Sequence, residues 1–140
     1  MPRSRNVKHG FFINEYLGTC DPFEQLLFEG LWLLADRVGR LENRPLKIKA
    51  QIFPYRDFST PVITGWLQNL HDNGFIYLYE VEDKSYIEIL NFEKHQSPHK
   101  NEKSEGHPDP VKKPEKTEYS TKPSNYSNNP VFHASAQYDC

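Results

Sequence analysis

Between Asp21 and His95 the chain alternates periodic apolar runs with proline and glycine stops, and the order of those runs leaves few folds open. Asp21-Pro22-Phe23-Glu24 is a helix start. Asp21 can accept from the free amides of the first turn, Pro22 suits the first helical position, and Glu24 completes a capping-box-like pattern. Leu26, Leu27, Leu31 and Leu34 follow at helical spacing with Phe23 and Trp32 flanking them. The pattern ends near Asp36–Gly39, where Arg37 complements the helix dipole.

Arg40-Leu41-Glu42 fits a brief edge strand. Pro45 opens a second helix, with Leu46, Ile48 and Ile52 as core candidates, and Pro54 stops it. A third helix begins at Thr60-Pro61, carries Val62, Ile63, Trp66, Leu67 and Leu70, and ends at Asn73-Gly74, residues that tolerate a left-handed cap. Strands are predicted at Phe75–Val81 and Ser85–Leu90, joined through Asp83-Lys84, with Ile76, Leu78, Ile87 and Ile89 facing the core. A helix, a short strand, two further helices and a hairpin, in that order, make an α+β winged helix-turn-helix, a fold that docks mainly on DNA and secondarily on proteins.

The 140 residues divide by composition. Residues 1–20 form a basic N-terminal arm, 21–96 the winged-helix domain, and 97–140 a polar tail of Pro, Lys, Glu, Ser and Asn. Isolated aromatics in the tail, Tyr119, Tyr126, Phe132 and Tyr138, bury too little apolar surface to offset ordering entropy, so disorder is expected there, with room for a short binding motif. No apolar run reaches signal-peptide length or the ~20 residues of a membrane span. Cys20 and Cys140 suggest no disulfide framework, and a reducing cytoplasm fits them.

Catalysis finds no foothold: there is no glycine-rich phosphate loop, nucleophile elbow or paired acid motif, so neither an enzyme nor a cofactor is expected. His95 and His99 are four apart, but Pro98 interrupts a helix there and a third ligand is lacking, so no metal site is expected.

Candidate DNA contacts follow from side-chain chemistry. On the third helix Thr64, Gln68 and Asn69, with His71 beside them, are polar; Gln and Asn can read adenine edges bidentately, although an ordinary solvated face would look the same. Arg3, Arg5 and Lys8 of the arm could enter a minor groove or follow phosphates, or simply solvate the terminus. Arg40, Arg44, Lys47 and Lys49 supply the remaining positive charge, with Lys47 and Lys49 diverging by roughly 200° on a helix. The charge is unevenly spread. Residues 1–56 hold nine basic against six acidic side chains, whereas residues 57–92 hold Lys84 against six acids. Duplex phosphates would repel the hairpin run Glu80, Glu82 and Asp83, which instead suits a basic protein partner.

Four separated blocks carry a family likeness: Pro2–Phe12, Leu26–Arg40 (LLFEGLWLLADRVGR), Arg44–Tyr55 (RPLKIKAQIFPY) and Asn91–Lys100 (NFEKHQSPHK). Together they resemble the N-terminal winged-helix domain of phage and prophage replication proteins that organise or initiate replication. The resemblance covers residues 2 to about 103 and implies a DNA-associated role in replication initiation or its regulation, in the cytoplasm of a bacterial host cell. In such relatives a linker and sometimes a C-terminal module follow, and no second folded domain is expected here after residue 100. The implied partner is DNA, duplex in preference to single-stranded. The alternative is a protein-interaction module in which Glu80, Glu82, Asp83 and the third helix engage a replication protein or host factor, and oligomeric state is left open.

Overall fold

Proline and glycine punctuation sets the element boundaries in the computed structural model, which describes residues 3–98 and 100–110. The order is α1 (His9–Ile13), α2 (Pro22–Leu34), β1 (Arg40–Glu42), α3 (Pro45–Ile52), α4 (Thr60–Asp72), β2 (Ile76–Val81), β3 (Lys84–Ile89) and α5 (Phe92–His95). Among the described residues this makes an α+β domain with one antiparallel sheet in the order β1-β3-β2. None of its helices is long and apolar enough to cross a membrane.

Asp21 caps α2, its carboxylate accepting from the Phe23 amide at 2.8 Å. Glu24 does not close a capping box. It is buried, and its carboxylate accepts instead from the Tyr16 hydroxyl and from Asn69 Nδ2 at 3.1 Å. The buried stripe of α2 is accordingly rotated from the one the leucines suggest. Leu27, Phe28, Leu31 and Trp32 face the core, while Leu26 is half exposed and Leu34 only partly covered. The rotation has a cause outside α2: α1 delivers Phe11, whose ring stacks on Phe28 at 6.4 Å and meets Trp32 edge-on at 5.6 Å. Residues 3–20 are thus not a free arm, since Phe11 and Leu17 are core residues.

Gly30 lets α3 approach α2, because a Cβ there would lie 2.5 Å from Ile52 Cδ1. Below this contact Phe23, Phe53, Phe58 and Trp66 pack edge-on and stacked, with neighbouring centroids 5.0 to 6.4 Å apart. That knot joins α2, the α3–α4 turn and α4, and it absorbs Trp66. Ile48 is buried as expected, but Leu46 is 72% exposed and Val62 also faces solvent. Gly74, at φ 82°, takes the left-handed position that ends α4.

In the sheet, Leu41 opposes Ile87, and Ile76 and Leu78 oppose Ile89 and Ile87, so alternate residues enter the core. The hairpin turns one residue earlier than its composition suggests. Glu82 and Asp83 both have positive φ, 52° and 67°, which is the two-residue turn matching the strand twist, and Lys84 already begins β3.

Residues 100–110, expected to be part of a solvated tail, instead carry specific contacts with the domain. Glu102 pairs with Arg5, Asp36 accepts from Ser104 and from the Glu105 amide, and the Pro108 carbonyl accepts from Tyr79. Residues 111–140, with Tyr119, Tyr126, Phe132, Tyr138 and Cys140, lie outside the described residues.

Gly30→Ala should destabilise the domain by about 1–3 kcal/mol through overpacking against Ile52. Urea denaturation measures this, and adding Ile52→Val to the variant should recover part of the loss because the two sites are in contact.

Candidate nucleic-acid interface

The last carbonyls of an α-helix lack intrahelical partners and carry its negative dipole end, so cations gather there. At the end of α2 two arginines from the N-terminal segment meet this need. Arg5 donates from Nε to the Trp32 carbonyl at 2.9 Å and from Nη2 to the Ala35 carbonyl at 3.2 Å. The same guanidinium grips Glu102 bidentately at 2.9 and 2.6 Å and lies 5.3 Å above the centre of the Phe92 ring. Only 3% of the Arg5 side chain is exposed. Arg3 donates to the Ala35 carbonyl and to Glu105, and Lys8 donates to the Lys94 carbonyl at 2.9 Å. Arg37 adds a bond to the Glu102 carbonyl at 2.8 Å. The arm's cations are therefore engaged within the protein, and Arg3 and Arg5 are not presented as phosphate contacts.

Arg40 is also paired. Its Nε donates to Glu88 at 3.1 Å, and it forms an ion pair with Asp109. Burial alone would lower its pKa, but these carboxylates outweigh burial and raise it. The mirror effect holds Glu102 below the usual carboxylate range, first through its bonds to Arg5 and against the opposing effect of burial.

Three of the expected cations stay outward. Arg44 and Lys47 are exposed and Lys49 is half-buried, all on or just before α3. Exposed Arg56, on the α3–α4 turn, sits 5.0 Å above Phe23 and adds a further cation. Its counterpart on α4 is a face of small and uncharged residues: Pro61, Thr64, Gly65 and Gln68 are exposed at helical spacing. Gly65 is informative, because a Cβ there would meet nothing within 4 Å. Packing does not require glycine in this helix interior, where it costs about 0.5–1 kcal/mol. Close approach of an external backbone would explain it. Neither Arg56 nor Gly65 carries a sequence signal for this role; Gly65 stands inside an otherwise ordinary helical pattern.

The other polar residues of α4 differ in availability. Gln68 bonds its neighbour Asp72 at 2.9 Å on the exposed face. Asn69 is exposed, but its amide is committed to Glu24. His71 accepts from the Leu78 amide at 3.1 Å and stacks on Tyr77, so it is withdrawn from the face. Beneath Asn69, burial raises the pKa of Glu24, against the effect of its bonds to Tyr16 and Asn69. Burial followed by Glu24 and Asp21 pushes the Cys20 thiol up to about 12, which leaves it a poor nucleophile.

Glu80, Glu82 and Asp83 are all exposed at the hairpin end. The Asn43 amide donates to the Ser85 carbonyl at 2.9 Å, so Arg44 leaves the sheet next to this acidic tip. His95 is buried, and His99 lies outside the described residues. Among the described residues, no three His, Cys, Asp or Glu side chains gather as metal ligands.

Glu102→Gln should reduce stability at neutral pH by about 1–3 kcal/mol, since buried Arg5 loses its charged partner. Because the folded-state pKa of Glu102 is depressed, its contribution is present above the unfolded value of about 4.3 and is lost as pH falls through the folded value. Thermal melts of parent and variant should therefore differ most at neutral pH and converge in acid. Searches against protein-family models, curated proteins and solved structures find no match to this chain.

Proposed function

We propose that this chain is a winged helix-turn-helix DNA-binding protein of phage or prophage origin, acting in replication initiation or its regulation. The order of α2, β1, α3, α4 and the β2–β3 hairpin, with β1 paired to β3, supports the fold reading. The replication role rests on the resemblance of the four sequence blocks. The observation that carries DNA binding is the pairing of outward cations on α3 with an exposed, uncharged α4 face that has Gly65 at its centre.

In this reading α4 enters the major groove of a duplex, with Thr64 and Gln68 towards base edges. Arg44, Arg56 and one of Lys47 and Lys49, which diverge around α3, anchor the flanking phosphates, while the acidic tip stays off the backbone. With about three phosphates neutralised, log K should fall against log salt with a slope of about −3.

Fluorescence anisotropy with labelled duplexes tests this. Arg44→Ala, Lys47→Ala and Lys49→Ala together should abolish binding, and unchanged binding by that variant would refute the surface. Gly65→Ala should stabilise the fold by about 0.5–1 kcal/mol yet weaken duplex binding.

A second reading is favoured by the tip itself, where Glu82 and Asp83 are presented outward on a defined two-residue turn. There Glu80, Glu82 and Asp83 would engage a basic surface of a replication protein or host factor. Reversal of these charges to lysine should strengthen duplex binding under the first reading and destroy partner capture under the second.

A further inference from the structure

The sheet has a second face, turned away from the core, and it is aromatic. Tyr79 opposes Tyr86, and Tyr77 opposes Glu88, so these side chains share one surface with Arg40 across the β1–β3 ladder. Their rings form a continuous row. His71 stacks on Tyr77 at 5.7 Å, Tyr77 on Tyr79 at 5.9 Å, and Tyr79 on Tyr86 at 5.5 Å.

Tyr79 and Tyr86 are nevertheless only 8% exposed, because residues 107–110 lie across them. The His107 ring stands 5.8 Å from that of Tyr86, the Tyr79 hydroxyl donates to the Pro108 carbonyl at 2.8 Å, Asp109 pairs with Arg40, and Pro110 is buried. His107 and Asp109 each precede a proline, which drives both towards the extended region. An extended segment with alternating prolines lying beside an aromatic row, with a tyrosine hydroxyl bonding the carbonyl between those prolines, has the ingredients of polyproline recognition.

The hold on this segment is slight. Asp109 is 70% exposed, so its pair with Arg40 faces solvent and is worth little. Upstream, residues 102–105 are fixed by Arg5, Arg3 and Asp36, whereas the segment beyond them hangs from Gly106. Gly106 has φ 77°, and a Cβ there would meet nothing within 4 Å, so its glycine serves the backbone turn alone. A firmly anchored stem, a glycine pivot and a loosely bonded end allow this end to leave without disturbing the domain.

We propose that the outer face of the hairpin, built from Tyr79, Tyr86 and Arg40, is a docking site for an extended acidic peptide of the pattern proline–acidic residue–proline. Residues 107–110 occupy it in cis, and a matching segment of a partner protein displaces them. The site is separate from the α3–α4 surface.

The test uses the full chain and a labelled peptide with the sequence of residues 104–111. A variant carrying Pro108→Ala, Asp109→Ala and Pro110→Ala should bind the peptide at least tenfold more tightly than the parent, because the internal competitor is gone. Adding Tyr79→Phe and Arg40→Ala together to that variant should remove most of the gain. A folded triple variant that binds no better than the parent, or binding indifferent to Tyr79 and Arg40, would overturn the proposal. Should the triple variant not fold, the parent supplies the answer. A short tether corresponds to an effective concentration on the order of millimolar, so peptide above that level should shift the Tyr79 and Tyr86 ring resonances, and unmoved resonances would refute the site.

Discussion

The Arg5 guanidinium and the Glu102 carboxylate are 97 positions apart in the chain and 2.6 Å apart in space. This one pair closes both ends of the described chain over the C-terminal end of α2, where open carbonyls and the Phe92 ring complete its surroundings. A buried arginine without that carboxylate would carry an uncompensated charge, so arm and strap depend on each other. Much else follows from the closure. It holds α1 where Phe11 can pack against Phe28 and Trp32, and it fixes the stem from which residues 107–110 reach the sheet.

The same closure determines which positive charge is left for a partner. By composition, the basic half of the molecule looks like an arm plus a helix. In three dimensions the arm's arginines are turned inward, Arg40 is paired across the sheet, and the outward cations are those of α3 and its following turn. Net charge by segment is thus a poor guide to the potential a ligand meets, because it counts neutralised pairs together with free ends.

Local punctuation was legible in the residues themselves. Asp21-Pro22, Pro45, Thr60-Pro61 and Asn73-Gly74 act through fixed φ, missing amides or tolerated left-handed backbone, and each marks an element end in the structure. The rotation of α2 was not legible, because α1 has five residues and no period that would reveal a packing face. Leu46 looked like core for a similar reason: in an eight-residue helix, apolar spacing fits more than one face. The hairpin turn sits one residue before the Asp83-Lys84 signal, hidden in the sequence because Glu82-Asp83 lacks the glycine that usually marks positive φ. At the candidate interface, Arg44, Lys47, Thr64 and Gln68 are exposed, while the fates of Arg3, Arg5 and Asn69 depend on Glu102, Glu105 and Glu24, partners that no local pattern identifies.

The central claim, that α3 and α4 rather than the N-terminal segment meet DNA, can be read directly by footprinting amide chemical shifts of the isotopically labelled chain on titration with a short duplex. The account predicts shifts concentrated at Arg44–Lys49, Arg56 and Thr64–Gln68, with the amides of Arg3, Arg5 and Glu102 unmoved. Shifts confined to residues 3–8, with α3 and α4 silent, would contradict it and mean that the clasp opens to bind.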